Sequence, residues 1–560
     1  MAVNVTINGQ SVEAQAVEAQ GGLSLFDQAE ALGIDVPTSC RKQGKCKECM
    51  VEVVEGRELL SPMTEAEQHL KGKFRLSCQT YVTGIEGYVR CHTMRRGHMR
   101  IERDGLTLPA GLAVSGRAFK LEPAVTRDGD RILMDGVEVT RSSGPIHGLA
   151  MDLGTTTVVV RLLDLETGGL IADTSFENPQ RFGGSEVMSR IAYDTDHPGK
   201  LLMRTLAGYL THAIEKFPVD PKTIYEMVVV GNSTMRDLFF RQDVYSIGQT
   251  PYRSLTEIEM AEGKRTTTGL EMTGMRSLLP IHPRARVYGA PIISGHVGAD
   301  AAAAMLAVDL AHEDRLIAIM DIGTNTELIL GNKDRILAAS CPAGPAFEGG
   351  AIACGMPALD GAIEEVAIAD DGSFRLRVIG DVQPEGICGS GLVDALSELL
   401  RTGQMNDKGR FEDDIERITL WHGSGNEKKD VFLLESDVNE LAQAKGANVA
   451  GLYVVFSTFG IDFEGVDVFY LAGGFGRHLK VEASKRIGLV PWLDSGKIVQ
   501  AGNTAIEGAT IALLSKTKRR ELEELVKRVE HCRLETHSNF FDFFVEGCQF
   551  KPVEPMPCAT

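Results

Sequence analysis

Four cysteines near the start of the chain have the spacing of an iron–sulfur site. Cys40, Cys46 and Cys49 form a C-x5-C-x2-C pattern, and Cys78 follows after 28 intervening residues. A loop with three thiolates, closed by one distant thiolate, is what a shielded 2Fe–2S cluster requires. A structural zinc site with four cysteine ligands is the alternative, but it usually shows two C-x2-C pairs and this segment has one. We therefore predict that these four thiolates hold a 2Fe–2S cluster.

Two glycine–threonine segments farther along the chain have the pattern of phosphate-binding turns. One reads Asp-Leu-Gly-Thr-Thr-Thr over 152–157 and the other Asp-Ile-Gly-Thr-Asn-Thr over 321–326, each between two apolar runs. Such a hairpin turn presents backbone N–H groups and hydroxyls to an anion, and an aspartate at the strand end can hold Mg²⁺ through water. One turn alone is often structural, but its repetition predicts two related lobes that face a cleft. The candidate residues are Asp152, Gly154, Thr155, Thr156, Thr157, Asp321, Gly323, Thr324, Asn325 and Thr326.

A third glycine-rich segment is a candidate for the nucleoside end of the same ligand. An apolar run that begins at 466 leads into a turn containing Gly473, Gly474 and Phe475. Glycines allow a flat adenine or a ribose to lie close to the backbone. We therefore predict that this turn binds adenosine.

Two helical segments rich in glycine and alanine, near 295–305 and 505–514, could cross closely as a hinge between the lobes. Ordinary helix packing through small residues is the alternative. Asp300 lies in the first segment and could polarise an attacking water, although a carboxylate on a helix surface is the simpler interpretation.

The elements around the cysteines predict a small α/β unit. Asn8-Gly9 is a two-residue hairpin signal between a strand that starts at Val3 and a return strand over 11–16. Ser24 can cap a helix that ends near Gly33, and a strand over 50–54 follows the cysteine loop. The connector, 96–146, reads as a linker with a small ordered segment and a hairpin at Asp135-Gly136.

Composition narrows the class of protein. The 560 residues are 43% apolar and carry a net charge of −19, which falls entirely outside the neutral segment 1–100 and argues against nucleic acid as a partner. The sequence contains no run of 18 apolar residues, so we expect no membrane-spanning helix. The first residues lack the pattern of a secretion signal. Because the 11 cysteines do not form a small disulfide framework, we expect reduced thiols and a cytoplasmic location.

The two turns, the adenosine turn and the two small-residue helices, in this order, resemble the actin-like (ASKHA, ribonuclease H-like) ATPase superfamily over residues 148–515. The resemblance implies an α/β multidomain fold with a β-grasp 2Fe–2S ferredoxin domain before a two-lobed ATPase domain. The predicted divisions are 1–95 for the ferredoxin-type domain, 96–146 for the linker, 147–310 and 311–530 for the lobes, and 531–560 for a tail.

Further segments resemble one family within that group, the reductive activators of corrinoid proteins. These segments are 178–184, 189–191, 229–235, 341–349, 387–391 and 441–447. The resemblance implies that ATP, with Mg²⁺, drives one electron through the cluster to convert a Co(II) corrinoid to Co(I) in a methyltransferase or demethylase system. It implies a corrinoid protein and a low-potential electron donor as partners, and a homodimer is compatible with it.

Two other functions stay open at this point. One is an ATP-dependent activator of a radical dehydratase or aryl-CoA reductase, in which Cys341, Cys354 and Cys388 would be candidate ligands. The other is a redox-sensing binding protein gated by nucleotide.

Two features also depart from the family pattern: Thr326 stands where members commonly have glycine, and the connector is short. Because the connector is short, we favour the interpretation that the ATP site and the 2Fe–2S cluster communicate through the bound partner protein.

Overall fold

The N-terminal unit is a five-stranded sheet packed on one short helix. The computed structural model describes residues 3–14, 22–94, 108–412, 415–423 and 430–554. The elements of this unit are β1 (Val3–Ile7), β2 (Gln10–Ala14), α1 (Leu25–Ala31), β3 (Met50–Glu55), β4 (Phe74–Leu76) and β5 (Gly87–Thr93). The strand order is β2-β1-β5-β3-β4, and β1 pairs parallel with β5 and antiparallel with β2.

Local sequence signals explain the start of this unit. Asn8 and Gly9 both have positive φ, which lets the two-residue turn follow the twist of the β1–β2 hairpin. Ser24 caps α1 through a capping box with Asp27. The predicted hairpin, helix cap and strand after the cysteine loop are thus confirmed, while residues 15 and 16 of the predicted return strand lie outside the described residues.

The connector contains a three-stranded sheet that packs on the following body. Its strands are β6 (Val125–Asp128), β7 (Arg131–Met134) and β8 (Val137–Arg141). The β7–β8 turn is formed by Asp135 and Gly136, both with positive φ, as the sequence predicts. Backbone hydrogen bonds from Val114 to Ala307 and from Glu122 to Leu514 attach the connector to two helices of the body.

The first lobe is built on a six-stranded mixed sheet with helices around it. Its elements are β9 (His147–Leu153), β10 (Thr157–Asp164), β11 (Leu170–Glu177), α2 (Val187–Asp196), α3 (Leu201–Glu215), β12 (Ile224–Gly231), α4 (Ser233–Phe239), α5 (Leu255–Ala261), β13 (Leu270–Thr273), α6 (Gly274–Ser277), β14 (Arg286–Gly289) and α7 (Ala299–Ala307). The strand order is β11-β10-β9-β12-β14-β13.

The second lobe repeats this plan with additional small sheets. Its elements are β15 (Ile317–Ile322), β16 (Thr326–Gly331), β17 (Ile336–Cys341), β18 (Ala362–Ile368), β19 (Phe374–Val378), β20 (Gly386–Ile387), α8 (Gly389–Arg401), β21 (Arg417–Trp421), β22 (Val431–Leu434), α9 (Glu435–Phe459), β23 (Val468–Ala472), α10 (Gly473–Gly476), α11 (Val481–Ile487), β24 (Ile498–Gly502), α12 (Thr504–Leu514), α13 (Lys516–Leu525), β25 (Val529–His531) and α14 (Phe540–Gly547).

The pairing of the two large sheets reveals the internal duplication. β9 pairs antiparallel with β10, β10 pairs antiparallel with β11, and β9 pairs parallel with β12. In the second lobe, β15, β16, β17 and β23 repeat these three relations in the same order. Each hairpin carries one of the two glycine–threonine turns at its tip. The two-lobed plan is therefore present in the backbone itself.

Helices α7 and α12 cross closely between the lobes. A Cβ placed on Gly508 would lie only 2.0 Å from the carbonyl oxygen of Ala303. The apolar core around the two helices includes residues of both large sheets, such as Val228 and Ile319. Small residues are therefore required at this crossing, and the predicted close approach of the two helices is confirmed.

The end of the chain packs on the second lobe. β25 pairs parallel with β17, and Lys445 in α9 donates hydrogen bonds to the carbonyl oxygens of Gly547 and Gln549 beside α14. In the described part of the chain, no helix is both long and apolar enough to cross a membrane.

Candidate cluster and nucleotide sites

The four predicted cluster ligands lie together as two pairs of thiols. The side chain of Cys40 is within hydrogen-bonding reach of Cys46, and that of Cys49 is within reach of Cys78. All four sulfurs lie close enough to Lys47 to interact with its ammonium group. Two pairs of sulfurs are the arrangement that a cluster with two irons requires, since each iron takes two protein thiolates.

Backbone N–H groups point at these sulfurs. Burial raises the pKa of Cys40, but backbone donors from 43, 45 and 46, together with the Cys46 side chain, outweigh it and hold that pKa below its usual value. The hydrogen bond from Cys49 is the main cause that lowers the pKa of Cys78 to about 6, and the Gly44 N–H adds to it. Gly44 has φ of 68°, which directs this N–H toward the sulfur. Burial raises the pKa of Cys46, and the hydrogen bond to Cys78 raises that of Cys49, so one thiol of each pair favours the thiolate. Backbone N–H groups aimed at the sulfurs are the surroundings that a 2Fe–2S cluster requires.

The cysteine loop docks directly on the first lobe through Glu48, which lies between Cys46 and Cys49 in sequence. The Tyr209 hydroxyl donates to the Glu48 carbonyl oxygen at 2.6 Å, and His212 Nε2 lies 3.0 Å from Glu48 Oε2. Both residues are on α3. Gly208 of α3 lets the loop pack closely against the helix, because a Cβ at this position would lie only 2.8 Å from Glu48 Oε1.

Other contacts extend this interface. The Tyr193 hydroxyl donates to the His69 carbonyl oxygen at 3.0 Å, and Arg181 lies 3.9 Å from Glu52 of β3. One apolar core runs from the N-terminal sheet into the first lobe. The short connector therefore does not keep the cluster domain away from the body.

The two glycine–threonine turns face each other across a cavity of about 160 Å³ between the lobes. The Thr156 and Thr324 hydroxyls are 3.1 Å apart, although they come from opposite lobes. The cavity is lined by the predicted residues Asp152, Gly154, Thr155, Thr156, Thr157, Asp300, Asp321, Gly323, Thr324, Asn325, Gly473, Gly474 and Phe475.

Thr326 is the one predicted residue that the structure does not bring to this cavity. Its side chain is fully buried in β16, and its hydroxyl has no hydrogen-bond partner. Its φ is not positive, so the β-branched side chain fits without the strain that a left-handed conformation would impose. Gly473 does need glycine, because its φ is 84° and a Cβ would lie 2.7 Å from Asp321 Oδ1.

Amide side chains hold the first turn in shape. Asn178 Nδ2 donates to the Gly154 carbonyl oxygen at 2.8 Å, and Asn232 Nδ2 donates to Thr155 Oγ1 at 2.8 Å. Asn503 at the start of α12 donates to Asp152 Oδ2 at 2.8 Å. The sequence segments that contain Asn178 and Asn232 were recognised only as family features, and the structure now gives them this supporting position.

Burial raises the pKa of three aspartates in the cavity above the ordinary value of a carboxyl group. Burial raises the pKa of Asp152 to about 7 and that of Asp321 to about 8, where Asp300 and Asp152 add repulsion. Burial also raises the pKa of Asp300 to about 6. A divalent cation would reverse these shifts by stabilising the carboxylates. The donor set therefore fits Mg²⁺, with Asp152 and Asp321 as the residues that would hold it.

Glu348 connects the two turns and was not predicted from the sequence. Its Oε2 accepts hydrogen bonds from Thr156 at 3.1 Å and from Thr324. The only sequence signal was its place in the segment 341–349, which is rich in glycine, alanine and proline. A contact between residues so far apart could not be read from that pattern.

A larger cleft of about 1860 Å³ opens beside the nucleotide cavity. Its walls include Arg90 of the N-terminal unit, Glu177 of the first lobe and Ala343 of the second. Thr156 and Glu348 line both spaces. The cleft therefore meets the nucleotide cavity at the point where the two turns are closest.

One further cluster of possible metal ligands lies outside the two candidate sites. Within the described ranges, the one group with ligand atoms within 4.8 Å of one another is Asp309, His312 and Glu521, and Lys518 donates to both of its carboxylates. Cys341 and Cys388 are buried, and burial raises the pKa of each thiol.

The fold defines a class of protein: a ferredoxin-type domain joined to an actin-like (ASKHA) body. The N-terminal residues 5–83 match the model of a 2Fe-2S iron-sulfur cluster binding domain. Residues 147–313 match the RACo middle region, and 315–559 match the C-terminal domain of RACo, the ASKHA domain. The chain belongs to the family of reductive activators of corrinoid proteins, as its resemblance to that family implied.

Individual relatives agree with this placement. The chain is 32% identical over 447 residues to the corrinoid activation enzyme RamQ of Eubacterium limosum, covering 75% of this chain and 73% of the relative. It is 26% identical over 428 residues to a [Co(II) methylated amine-specific corrinoid protein] reductase of Methanosarcina barkeri, covering 71% and 76%. A solved structure of a reductive activator for corrinoid, iron-sulfur protein superposes with a TM-score of 0.70 at 26% identity, covering 99% of each chain.

Proposed function

We propose that this protein uses ATP, bound with Mg²⁺, to drive one-electron reduction of a partner's Co(II) corrinoid to Co(I). The cluster held by Cys40, Cys46, Cys49 and Cys78 would supply a one-electron carrier between a low-potential donor and the cobalt. We place this activity in the cytoplasm, within a methyltransferase or demethylase system.

The observation that carries the proposal is the docking of the cysteine loop on α3 of the first lobe. Glu48 lies between two ligands and contacts Tyr209 and His212 of α3. The same lobe carries the first phosphate turn on its β9–β10 hairpin. A change in lobe position on nucleotide binding therefore moves the cluster domain relative to anything bound to the second lobe.

Energetics explain why a nucleotide is needed. Each ~59 mV of unfavourable potential difference in a one-electron transfer costs about 1.4 kcal/mol. Bound ATP offsets this cost only if its affinity differs between two states of the protein or its complex. The nucleotide cavity of about 160 Å³ is smaller than the roughly 300–1,000 Å³ of typical ligand sites, and a separation of the lobes on ATP binding is part of this proposal.

The larger cleft, which lies between the N-terminal unit and the two lobes, is our candidate for the position of the bound partner. It touches the N-terminal unit and both lobes, and it meets the nucleotide cavity at Thr156 and Glu348. The names of the Eubacterium limosum and Methanosarcina barkeri relatives support a corrinoid protein as the partner.

The test follows Co(I) absorbance in a purified Co(II) corrinoid protein mixed with the iron-loaded chain and a low-potential chemical reductant. We expect Co(I) to appear only with ATP, and not with Cys46→Ala or Asp321→Ala. Cys532→Ala and Asp370→Ala, which change residues outside both sites, serve as matched controls. Equal Co(I) formation without ATP contradicts the proposal.

The same samples separate the remaining alternatives. ATP turnover with no change at cobalt favours a nucleotide-gated redox sensor. Iron content and electron paramagnetic resonance of a 4Fe–4S centre shared by two subunits favour a radical-enzyme activator. We expect two irons per chain and a 2Fe–2S signal that Cys46→Ala removes.

A further inference from the structure

Glu348 has a position that none of the predicted site residues shares. It follows the short strand end at Cys341 and reaches between the lobes, where one carboxylate oxygen accepts hydrogen bonds from both Thr156 and Thr324. These hydroxyls belong to the two turns that we expect to hold the phosphates. A group that bonds to both would lie next to the terminal phosphate of a nucleotide held by the two turns.

The surroundings of Glu348 suit a group that accepts a proton. Burial raises its pKa, while the hydrogen bonds from Thr324 and Thr156 and the charges of Arg181 and Arg190 lower it. The net shift raises the pKa of Glu348, with burial as the largest cause, and within the described residues its carboxylate forms no direct ion pair. A general base works best when its proton affinity is balanced in this way.

The other carboxylates of the cavity are engaged differently, and one of them, Glu327 of β16, accepts a hydrogen bond from Ser340 Oγ. Asp152 accepts a hydrogen bond from Asn503, and Asp300 accepts one from the backbone N–H of Ala301. Asp321 lies against Gly473, where the adenosine turn begins. Glu348 alone of these five carboxylates also lines the larger cleft, from which water can enter.

We propose that Glu348 is the general base that activates water for ATP hydrolysis. The water oxygen forms a bond to the γ-phosphorus while its proton passes to the Glu348 carboxylate. The bond between the γ-phosphorus and the bridging oxygen breaks, and ADP leaves with that electron pair. Inorganic phosphate and ADP are the products, and the proton on Glu348 returns to solvent through the cleft. This assignment rests on the proposed ATP-driven function.

The first test replaces Glu348 with Gln, which keeps the shape and removes the base. We expect phosphate release to fall about 100-fold or more, because general bases contribute about 10²–10⁴-fold. Affinity for a non-hydrolysable ATP analogue should change less than about 3-fold, a change below 1 kcal/mol. Glu464→Gln, on an exposed surface of the second lobe, is the matched control.

A second test distinguishes a base from a structural group. Glu348→Ala removes the carboxylate, and added formate should restore part of the hydrolysis, since a small carboxylate can occupy the space. A purely structural role would give no rescue. Loss of analogue binding in Glu348→Gln, or hydrolysis at the wild-type rate, overturns the assignment. Absence of ATP hydrolysis in the wild-type protein instead overturns the proposed function itself.

Discussion

Replacement of Gly508 by Ala tests the helix crossing between the lobes. The new Cβ would lie 2.0 Å from the Ala303 carbonyl oxygen, whereas carbon–oxygen contacts are normally about 3.3–3.6 Å, so the helices must separate by about 1.3 Å or more. Inserting a methyl group into a packed core costs about 1–3 kcal/mol, and a rigid carbonyl places this site at the upper end.

The opposing effect is helix propensity. Alanine is favoured over glycine by about 1 kcal/mol inside a helix, so a net loss of about 2 kcal/mol remains. For a domain of 150–250 residues this lowers the melting temperature by about 4–8 °C. Because α7 and α12 form the crossing, we also expect altered affinity for ATP.

The assay compares thermal unfolding of the body with and without ATP in wild type, Gly508→Ala and Gly465→Ala. Gly465 is the matched control, because the nearest atom to an added Cβ is 3.4 Å away. A change of less than about 2 °C is expected there, as for most surface substitutions. If Gly508→Ala melts at or above the wild-type temperature, the close crossing is not a constraint in solution.

Three further predictions address the interface, the end of the chain and the nucleotide turn. Tyr209→Phe removes one of the two donors to the Glu48 carbonyl oxygen and leaves the Met50 N–H, at a cost of about 0.5–1.5 kcal/mol, so hydrogen exchange at 46–49 should accelerate about 2- to 10-fold; unchanged exchange contradicts the docking. Burial lowers the pKa of Lys445 to about 7. Between about pH 7 and 10.5 the folded state therefore binds fewer protons at this residue than the unfolded state does. Because of this difference, the free energy of unfolding rises with pH in that window. Chemical denaturation at pH 7.5 and 9.5 should show wild type gaining about 2–3 kcal/mol over Lys445→Met; a constant difference means that Lys445 is not buried as described. Gly473→Ala forces a left-handed conformation on alanine at a cost of about 1–3 kcal/mol, and calorimetry should show ATP binding weakened about 10-fold; wild-type affinity would remove this turn from the site.

Most residues of the two candidate sites could be predicted from the sequence, because the residues of each motif are near one another in the chain. Cys40, Cys46 and Cys49 share one loop, and each glycine–threonine turn closes a single hairpin. Such local spacing constrains geometry directly, since only a few backbone atoms separate the groups. Thr326 is the exception, because register in β16 turns its side chain into the core.

The remaining features depend on contacts between distant segments. Glu348 meets Thr156 across the lobes, and Glu48 meets Tyr209 across the boundary between the N-terminal unit and the body. A glutamate in a loop has no signature in sequence that distinguishes a surface charge from a group aimed into a cavity.

The sequence by itself determined which groups are available to this protein: four cysteines spaced as cluster ligands and two glycine–threonine turns with the phosphate-binding pattern. These depend on short-range spacing, which the chain fixes before it folds. Only the tertiary structure decided that the cysteine loop rests on α3 and that Glu48 joins them, and that Glu348 bridges the two turns. Packing of whole domains sets those contacts, because burial and shape, rather than spacing along the chain, select which distant groups meet.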